Sequence, residues 1–342
     1  VRRADAMGAQ FTSEKEFRTV IDQVFSNFWV VLLLKVVLVM GFFLVAPLGI
    51  GYAEHKILAH MQHRLGPMYA GRFHGWAQLI ADGIKFIQKE DIIPRAADRW
   101  VFTLAPAVFV LPAILTLVVI PLGDNIWAEN LDVGLFFVMA ISGVSVIGVL
   151  MAGWASANKF SLIGALRAAA QLIAYELPLI LVAVAVAMLA GTLSLVGIVE
   201  AQRDYWFVLV QPLGLLIFVM ASLAELVRTP FDMPVADSEI IFGAYTEYTG
   251  LKFAFFLLAE YAGIVVLAAL ASVLFLGGYL GPFLPGPIWM SAKIGGVSFL
   301  IIWLRATYPR LREDQLQRFS WIGLIPLALL NILGTAVVKV LV

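Results

Sequence analysis

Long uncharged apolar runs recur along the chain, separated by shorter stretches that collect the charged residues. A helix needs about 20 apolar residues, at about 1.5 Å each, to cross a bilayer. The pattern predicts eight spans, at about 28–50, 101–122, 133–155, 177–199, 205–224, 253–276, 288–304 and 319–338. Lys35 is the one charge inside the first. From Tyr261 to Ala292 no residue is charged, which is too long for one helix, and "GGYLGPFLPGP" (277–287) breaks the run. A different pattern occupies 74–91, "HGWAQLIADGIKFIQKED". Trp76, Leu79, Ile80, Ile84 and Ile87 share one helical face, and Gln78, Asp82, Lys85, Gln88 and Lys89 mostly fill the other. A polar face this wide predicts a helix lying in the membrane interface rather than crossing it. It is either a plain anchor or a helix that uses Asp82, a residue wasted in an anchor. The expected fold is an all-α polytopic membrane protein of about eight transmembrane helices plus this interfacial amphipathic helix. Residues 1–27 read as a polar N-terminal segment and 28–342 as a single membrane domain.

Composition agrees: 62% of residues are hydrophobic and 13% charged, against about 45–50% and about 25% in soluble domains. Charge adds a direction. Loops 51–100, 156–176, 225–252 and 305–318 hold 15 Lys and Arg, whereas the loops between them hold only Arg203. The basic side is normally cytoplasmic, so both termini are expected on the outer side. Residues 1–27, with four basic residues, run against that trend, and they do not read as a signal peptide. The chain has no cysteine, so it cannot supply a disulfide, an iron–sulfur cluster or a thiolate metal site. A net charge of zero gives no reason to expect nucleic acid as a partner. His55, His60, His63 and His74 lie close together in sequence, but no carboxylate–histidine pattern accompanies them and no metal is expected. No Rossmann glycine pattern, P-loop or nucleophile elbow is present, and no catalytic residue is expected in this chain.

The acids are unevenly placed. Five of the 23 lie in "AELVRTPFDMPVADSEIIFGAYTEY" (224–248): Glu225, Asp232, Asp237, Glu239 and Glu247. Glu225 ends an apolar span, with Arg228 one helical turn on and in pairing distance. Pro230 and Pro234 stop the helix. Glu260 lies inside the next span. In "WASANKFSLIGALRAAAQLIAYELP" (154–178), Arg167 and Glu176 stand at or near the membrane boundary. Two readings fit. The acids form a solvated loop that docks on a basic partner, with Arg167 and Glu176 snorkelling outward. Or they form a row of partly buried carboxylates able to hold and pass on protons.

Several segments resemble a known family. "RTPFDMPVADSE" with "YTEYTG", "AEHKILAHMQHRLGP", "GALRAAAQLIAYELP" and "WLRATYPRLREDQLQRFSW" are similar to the quinone-site membrane subunit of respiratory complex I, the NADH-quinone oxidoreductase of bacteria and mitochondria. The likeness runs from about Gly51 to the C-terminus. It implies an eight-helix core subunit that forms most of a long quinone chamber, with a carboxylate row linking that chamber to proton pumping. The family's chamber positions fall on Arg64, Asp82, Arg228, Asp232 and Glu239. Its carboxylate row falls on Glu176, Glu225, Asp237, Glu247 and Glu260, and Arg167 matches an arginine near the chamber. The implied substrate is a quinone, ubiquinone or menaquinone, with no covalently bound cofactor. Iron–sulfur clusters and FMN belong to partner subunits. Implied partners are peripheral-arm subunits that complete the chamber, small membrane subunits, antiporter-like subunits and membrane lipids. The implied location is a bacterial cell membrane. Three positions depart from the family pattern: Val235, where a Glu is frequent; His55, where an Arg often follows the first-span Glu; and Ile322, where a Lys often follows the tryptophan. The main alternative is a homologous membrane subunit of a membrane-bound hydrogenase or ferredoxin-driven complex that need not bind quinone. A free-standing ion-coupled transporter is another, disfavoured by the lack of a visible internal repeat.

Overall fold

The structure, a computed structural model, describes residues 27–235 and 237–341. It is an all-α polytopic membrane protein. Among the described residues seven helices are long and apolar enough to cross a membrane, and Pro212–Glu225 is a shorter apolar helix. In chain order the helices are α1 (Phe28–Met61), α2 (Gln78–Gln88), α3 (Arg99–Val119), α4 (Gly134–Ser142), α5 (Val144–Ala155), α6 (Lys159–Ala190), α7 (Leu195–Glu200), α8 (Pro212–Glu225), α9 (Asp237–Ile240), α10 (Gly250–Phe275), α11 (Gly286–Thr307), α12 (Glu313–Arg318) and α13 (Ile325–Leu341). Helices α4 and α5 make one span interrupted at Gly143, and α12 continues through a wide turn, Phe319–Leu324, into α13. Two compact units divide the chain, Val1–Phe42 and Phe43–Val342. The packing described below belongs to the second.

Helix α6 packs against α5, α8 and α13, while α3 packs on α5 and α10, and α10 on α11. Lipid tails are as apolar as leucine, so burial alone does not drive such helices together, and small residues that let backbones approach are favoured. Helix α6 accordingly buries Gly164, Ala165, Ala168, Ala169 and Ala174. A Cβ on Gly148 of α5 would sit 2.7 Å from the backbone N of Phe109 in α3. A Cβ on Gly164 would sit 2.5 Å from the Cα of Gly243, so this glycine lets the acid-rich segment lie directly on α6.

Three boundaries differ from the sequence expectation. Helix α1 continues to Met61, well beyond the run that ends near 50. Helix α6 starts at Lys159, capped by Asn158, whose Oδ1 accepts the Phe160 N–H at 2.9 Å. Arg167 and Glu176 therefore lie within one helix about 48 Å long rather than at its edge. Their charge masks a helix that begins earlier than the hydropathy. Helix α8 is shorter than the span expected at 205–224, because Pro212 sets its first turn. Its 14 residues rise only about 21 Å, short of the roughly 30 Å of hydrocarbon. Helix α2 is amphipathic as expected, with Ile80, Ile84 and Ile87 exposed on the side away from Asp82 and Lys85.

Substitution of Gly148 by Val drives a branched side chain into the α3 backbone. The expected cost is about 1–3 kcal/mol, read as a lowered melting midpoint in membranes. Gly295→Val, where an added Cβ meets nothing within 4 Å, should be tolerated. Equal tolerance of both would show that the α3–α5 contact does not depend on the glycine.

Candidate functional site

Helix α8 ends in a tight reversal. The Arg228 N–H donates to Leu223 O at 3.2 Å and the Val227 N–H to Ala224 O at 3.1 Å, the pair of bonds of a Schellman motif. Glycine usually takes the left-handed position in that motif, but here it is Val227, at φ 52°. A β-branched residue there stores strain, a condition found mostly where the surroundings impose it. Gln171 of α6 braces the reversal: its Nε2 donates to Ala224 O at 2.8 Å and to Phe231 O at 2.7 Å.

The reversal aims Arg228 into the protein. Its Nη1 is 2.9 Å from Glu54 Oε1 and its Nε is 3.0 Å from Glu260 Oε1. The first is a directed hydrogen bond; the second is a charge contact without hydrogen-bond alignment. The guanidinium also lies over the Tyr261 ring at 4.9 Å, a cation–π arrangement. Arg305, at the end of α11, pairs with the same Glu54 oxygen. The side chains of Glu54 and Arg228 are 3% and 4% exposed. The expected Glu225–Arg228 pair does not form. The left-handed Val227 takes the chain out of helical register, so the two residues no longer stand one turn apart on a common face.

Arg228, Glu260, Tyr261 and Arg305 open into a cavity of about 360 Å³. Its polar lining includes Glu176, Glu225, Arg228, Asp232, Glu260 and Arg305. Phe109, Met139, Phe253 and Phe256 form much of its apolar wall. Glu225 Oε2 is buried without a hydrogen-bond partner among the described residues. Glu176 reaches the break between α4 and α5, where a Cβ on Gly143 would lie 2.9 Å from its Oε1. The glycine makes room for the carboxylate. Tyr245 also lines the cavity. Burial, helped by the nearby Glu260 and by Tyr248, pushes its phenol well above the usual value, so it remains a proton-bearing donor.

Other predicted positions lie outside this cavity. Arg64 is exposed, its Nε donating to Gln62 Oε1 at 2.8 Å. Asp82 accepts from Gln78 Nε2 at 3.3 Å and lies 3.7 Å from Lys85 Nζ. Glu239 joins a surface cluster, bound by Arg167 Nη1 at 2.7 Å and Arg310 Nη2 at 3.0 Å, while Arg167 Nε lies 3.4 Å from Glu313. The Arg167 hydrogen bond, with Arg310 beside it, holds the Glu239 carboxyl below its ordinary value. Glu247 accepts from Asn158 Nδ2 at 2.6 Å, which ties it to the cap of α6. The side chain of Asp237 lies outside the described residues.

A family profile described as NADH dehydrogenase matches residues 34–336. The chain belongs to this family. Relatives named as a subunit of NADH-quinone oxidoreductase include one from Geobacillus kaustophilus (strain HTA426), 48% identical over 84% of this chain and 87% of its own length. Another, from Bacillus thuringiensis (strain Al Hakam), is 46% identical over 92% of this chain and 95% of its own. By those names the relatives are parts of an enzyme complex, and one such part alone is not a complete active site. The stretch matched by the NADH dehydrogenase profile contains every residue of the cavity.

Sequence reasoning misses Glu54, Arg305, Gln171 and Tyr245 as site residues. Glu54 carries the same signal as Glu225, an acid closing an apolar run. Arg305 falls at the edge of a stretch that reads as an exposed loop, and Gln171 and Tyr245 give no signal of their own.

The quartet makes a graded prediction. Glu54→Gln removes the anion that Arg228 and Arg305 share, and because the Glu54 and Arg228 side chains are buried the loss is about 3–5 kcal/mol. The Glu260 side chain is 33% exposed, so Glu260→Gln should cost clearly less. Amounts of assembled protein and thermal midpoints in membranes rank the two, and the reverse order would contradict this account of the quartet.

The Glu239 cluster should respond to acid. A carboxyl held below its ordinary value keeps the contact at full strength above that value, about 4.3 for Glu, and loses it as pH falls through the lowered one. Hydrogen exchange of the amides from Glu239 to Thr246, corrected for intrinsic rates, should stay flat from pH 8 to about 5 and quicken below the ordinary glutamate value. In Glu239→Gln the acid-dependent step should vanish.

Proposed function

We propose that this chain is the quinone-site membrane subunit of a proton-pumping NADH:quinone oxidoreductase. In this reading it forms most of the chamber that receives the quinone and links quinone reduction to proton translocation through carboxylates. The observation that carries it is the cavity itself. Its volume falls in the range of about 300–1,000 Å³ common for small-molecule sites. It brings two arginines and four acids into one largely apolar enclosure. The names of the relatives support a quinone as substrate; by family likeness it is ubiquinone or menaquinone.

The geometry supports a role for the cavity residues, and family likeness for the rest. Reduction of a quinone to a quinol takes up two electrons and two protons. Electrons come from partner subunits, since a chain without cysteine cannot ligate an iron–sulfur cluster by thiolates. Arg228, fixed by Glu54, offers a preorganised positive charge to the negative charge that develops on a quinone oxygen. Asp232, Glu176, Glu225 and Glu260 border the same space and respond to that change of charge. Asp237 and Glu247 extend the row by family likeness. Arg64, Asp82 and Glu239 belong to chamber regions that peripheral-arm subunits complete, and small membrane and antiporter-like subunits continue the path. Residues 28–342 act as one membrane domain in a bacterial cell membrane. Loops 51–100, 156–176, 225–252 and 305–318 face the cytoplasm, both termini lie on the outer side, and α2 lies in the interface. The short reach of α8 supports a charge site at membrane depth, because irregular backbone there must be enclosed by protein.

Glu225→Gln keeps size and hydrogen bonding and removes only the charge. In membranes carrying the assembled complex, it and Glu176→Gln should lower quinone reduction and pumping by at least tenfold with normal assembly, and Glu225→Asp should retain part of both. Wild-type turnover and pumping in both glutamine variants would remove the charge-relay reading.

A further inference from the structure

We propose that Ser320 is a positioning residue for Glu176, acting through the backbone turn that carries it. The inference rests on the reading of Glu176 as a charge-bearing group of the coupling path. Pro178 lies inside α6 and has no N–H, so the carbonyl of Ala174, four residues earlier, loses its helical donor. Ala174 is 1% exposed, so bulk solvent does not reach that carbonyl and a donor must come from the chain. Ser320 supplies it: its buried hydroxyl donates to Ala174 O at 2.6 Å.

The last span is shaped to deliver it. Ser320 sits in the wide turn Phe319–Leu324, where the Ile325 N–H reaches back five residues to Ser320 O. Single wide turns of this kind recur at functional sites. A second bond runs the other way, from Tyr175 OH to Leu316 O at 2.9 Å. Ala174 and Tyr175 are thus tied in opposite directions to two residues one turn apart on the last span. The next residue is Glu176. At about 100° per residue, its side chain points some 200° away from Ala174, toward the break at Gly143. Ser320 therefore does not touch the carboxylate; it fixes the turn from behind, at the point where Pro178 has weakened the helix.

The test uses the intact complex in native membranes, scored per assembled complex. Ser320→Ala should assemble, lower quinone reduction at least fivefold and reduce the protons pumped per electron. Ser320→Thr, which keeps the hydroxyl, should restore both. Ser320→Ala combined with Pro178→Ala should return to within twofold of wild type, because residue 178 then supplies the missing N–H. Should Ser320→Ala fail to assemble, Ser320→Cys, a weaker donor, should give an intermediate rate. Wild-type turnover and coupling in Ser320→Ala, or in Ser320→Cys where that variant is needed, would overturn the proposal. So would loss without rescue by either Thr or Pro178→Ala. Glu176→Gln separates the two levels. If it pumps normally, the relay reading fails; if it is impaired while Ser320→Ala is normal, only the positioning role fails.

Discussion

A helix that stops, bends or breaks inside a bilayer leaves carbonyls that no water can satisfy, and the chain must supply the donor itself. Much of this protein is organised around that demand. Pro106 deprives Phe102 of its helical donor, and Tyr248 OH reaches Phe102 O at 3.1 Å with its ring stacked on Phe102 at 4.0 Å. Burial pushes the Tyr248 phenol above its ordinary value, so the donor keeps its proton. Gln171 serves the end of α8. At the end of α10, Lys293 Nζ donates to Leu276, Gly278 and Leu280 carbonyls at 2.6, 2.7 and 2.7 Å and sits 4.6 Å from the Trp206 ring centroid. Three carbonyl dipoles at and just beyond the helix C-terminus face this cation.

The same demand explains why the charges gather where they do. Helix α8 cannot reach across the hydrocarbon, so the segment after it must be enclosed by other helices. Enclosure is what makes a buried Arg228 possible, since a guanidinium out of water requires an anion at close range. The anion comes from α1 and α10, not from α8 itself, and Arg305 of α11 adds a second cation to it. Three distant helices are thereby held to the end of a fourth. The close contact of Gly164 with Gly243 brings the rest of the acidic segment onto α6. Helix breaks and the charged cavity therefore coincide for one physical reason.

How far the sequence makes this legible follows from the range of each interaction. Apolar runs are local, so the spans are readable, and so is the crowding of acids after α8. Edges fail where charge sits inside a helix, as Arg167 and Glu176 do in α6. Pairings fail because they are remote: Glu54 and Arg228 are 174 positions apart and Glu54 and Arg305 are 251 apart. The local rule that pairs Glu225 with Arg228 gives way to one left-handed residue, Val227, whose conformation is foreign to its side-chain type. Ser320 and Gln171 give no signal, because an uncharged polar residue in an apolar run looks like tolerated noise until the carbonyl it serves is seen.

The outcome is a division among carboxylates of one chemical kind. Glu54 is held on one oxygen by two guanidiniums and serves as a fixed counter-charge. Glu225, three residues before Arg228, has no ion-pair partner among the described residues and keeps one oxygen buried and unbonded. Had the helix continued regularly through Val227, Arg228 would have stood beside Glu225 and neutralised it. By turning the arginine away, the reversal leaves Glu225 facing the cavity without a counter-charge and gives that counter-charge to Glu54. The charged neighbour that acts on Glu225 is then another acid, Glu176, and both line the cavity.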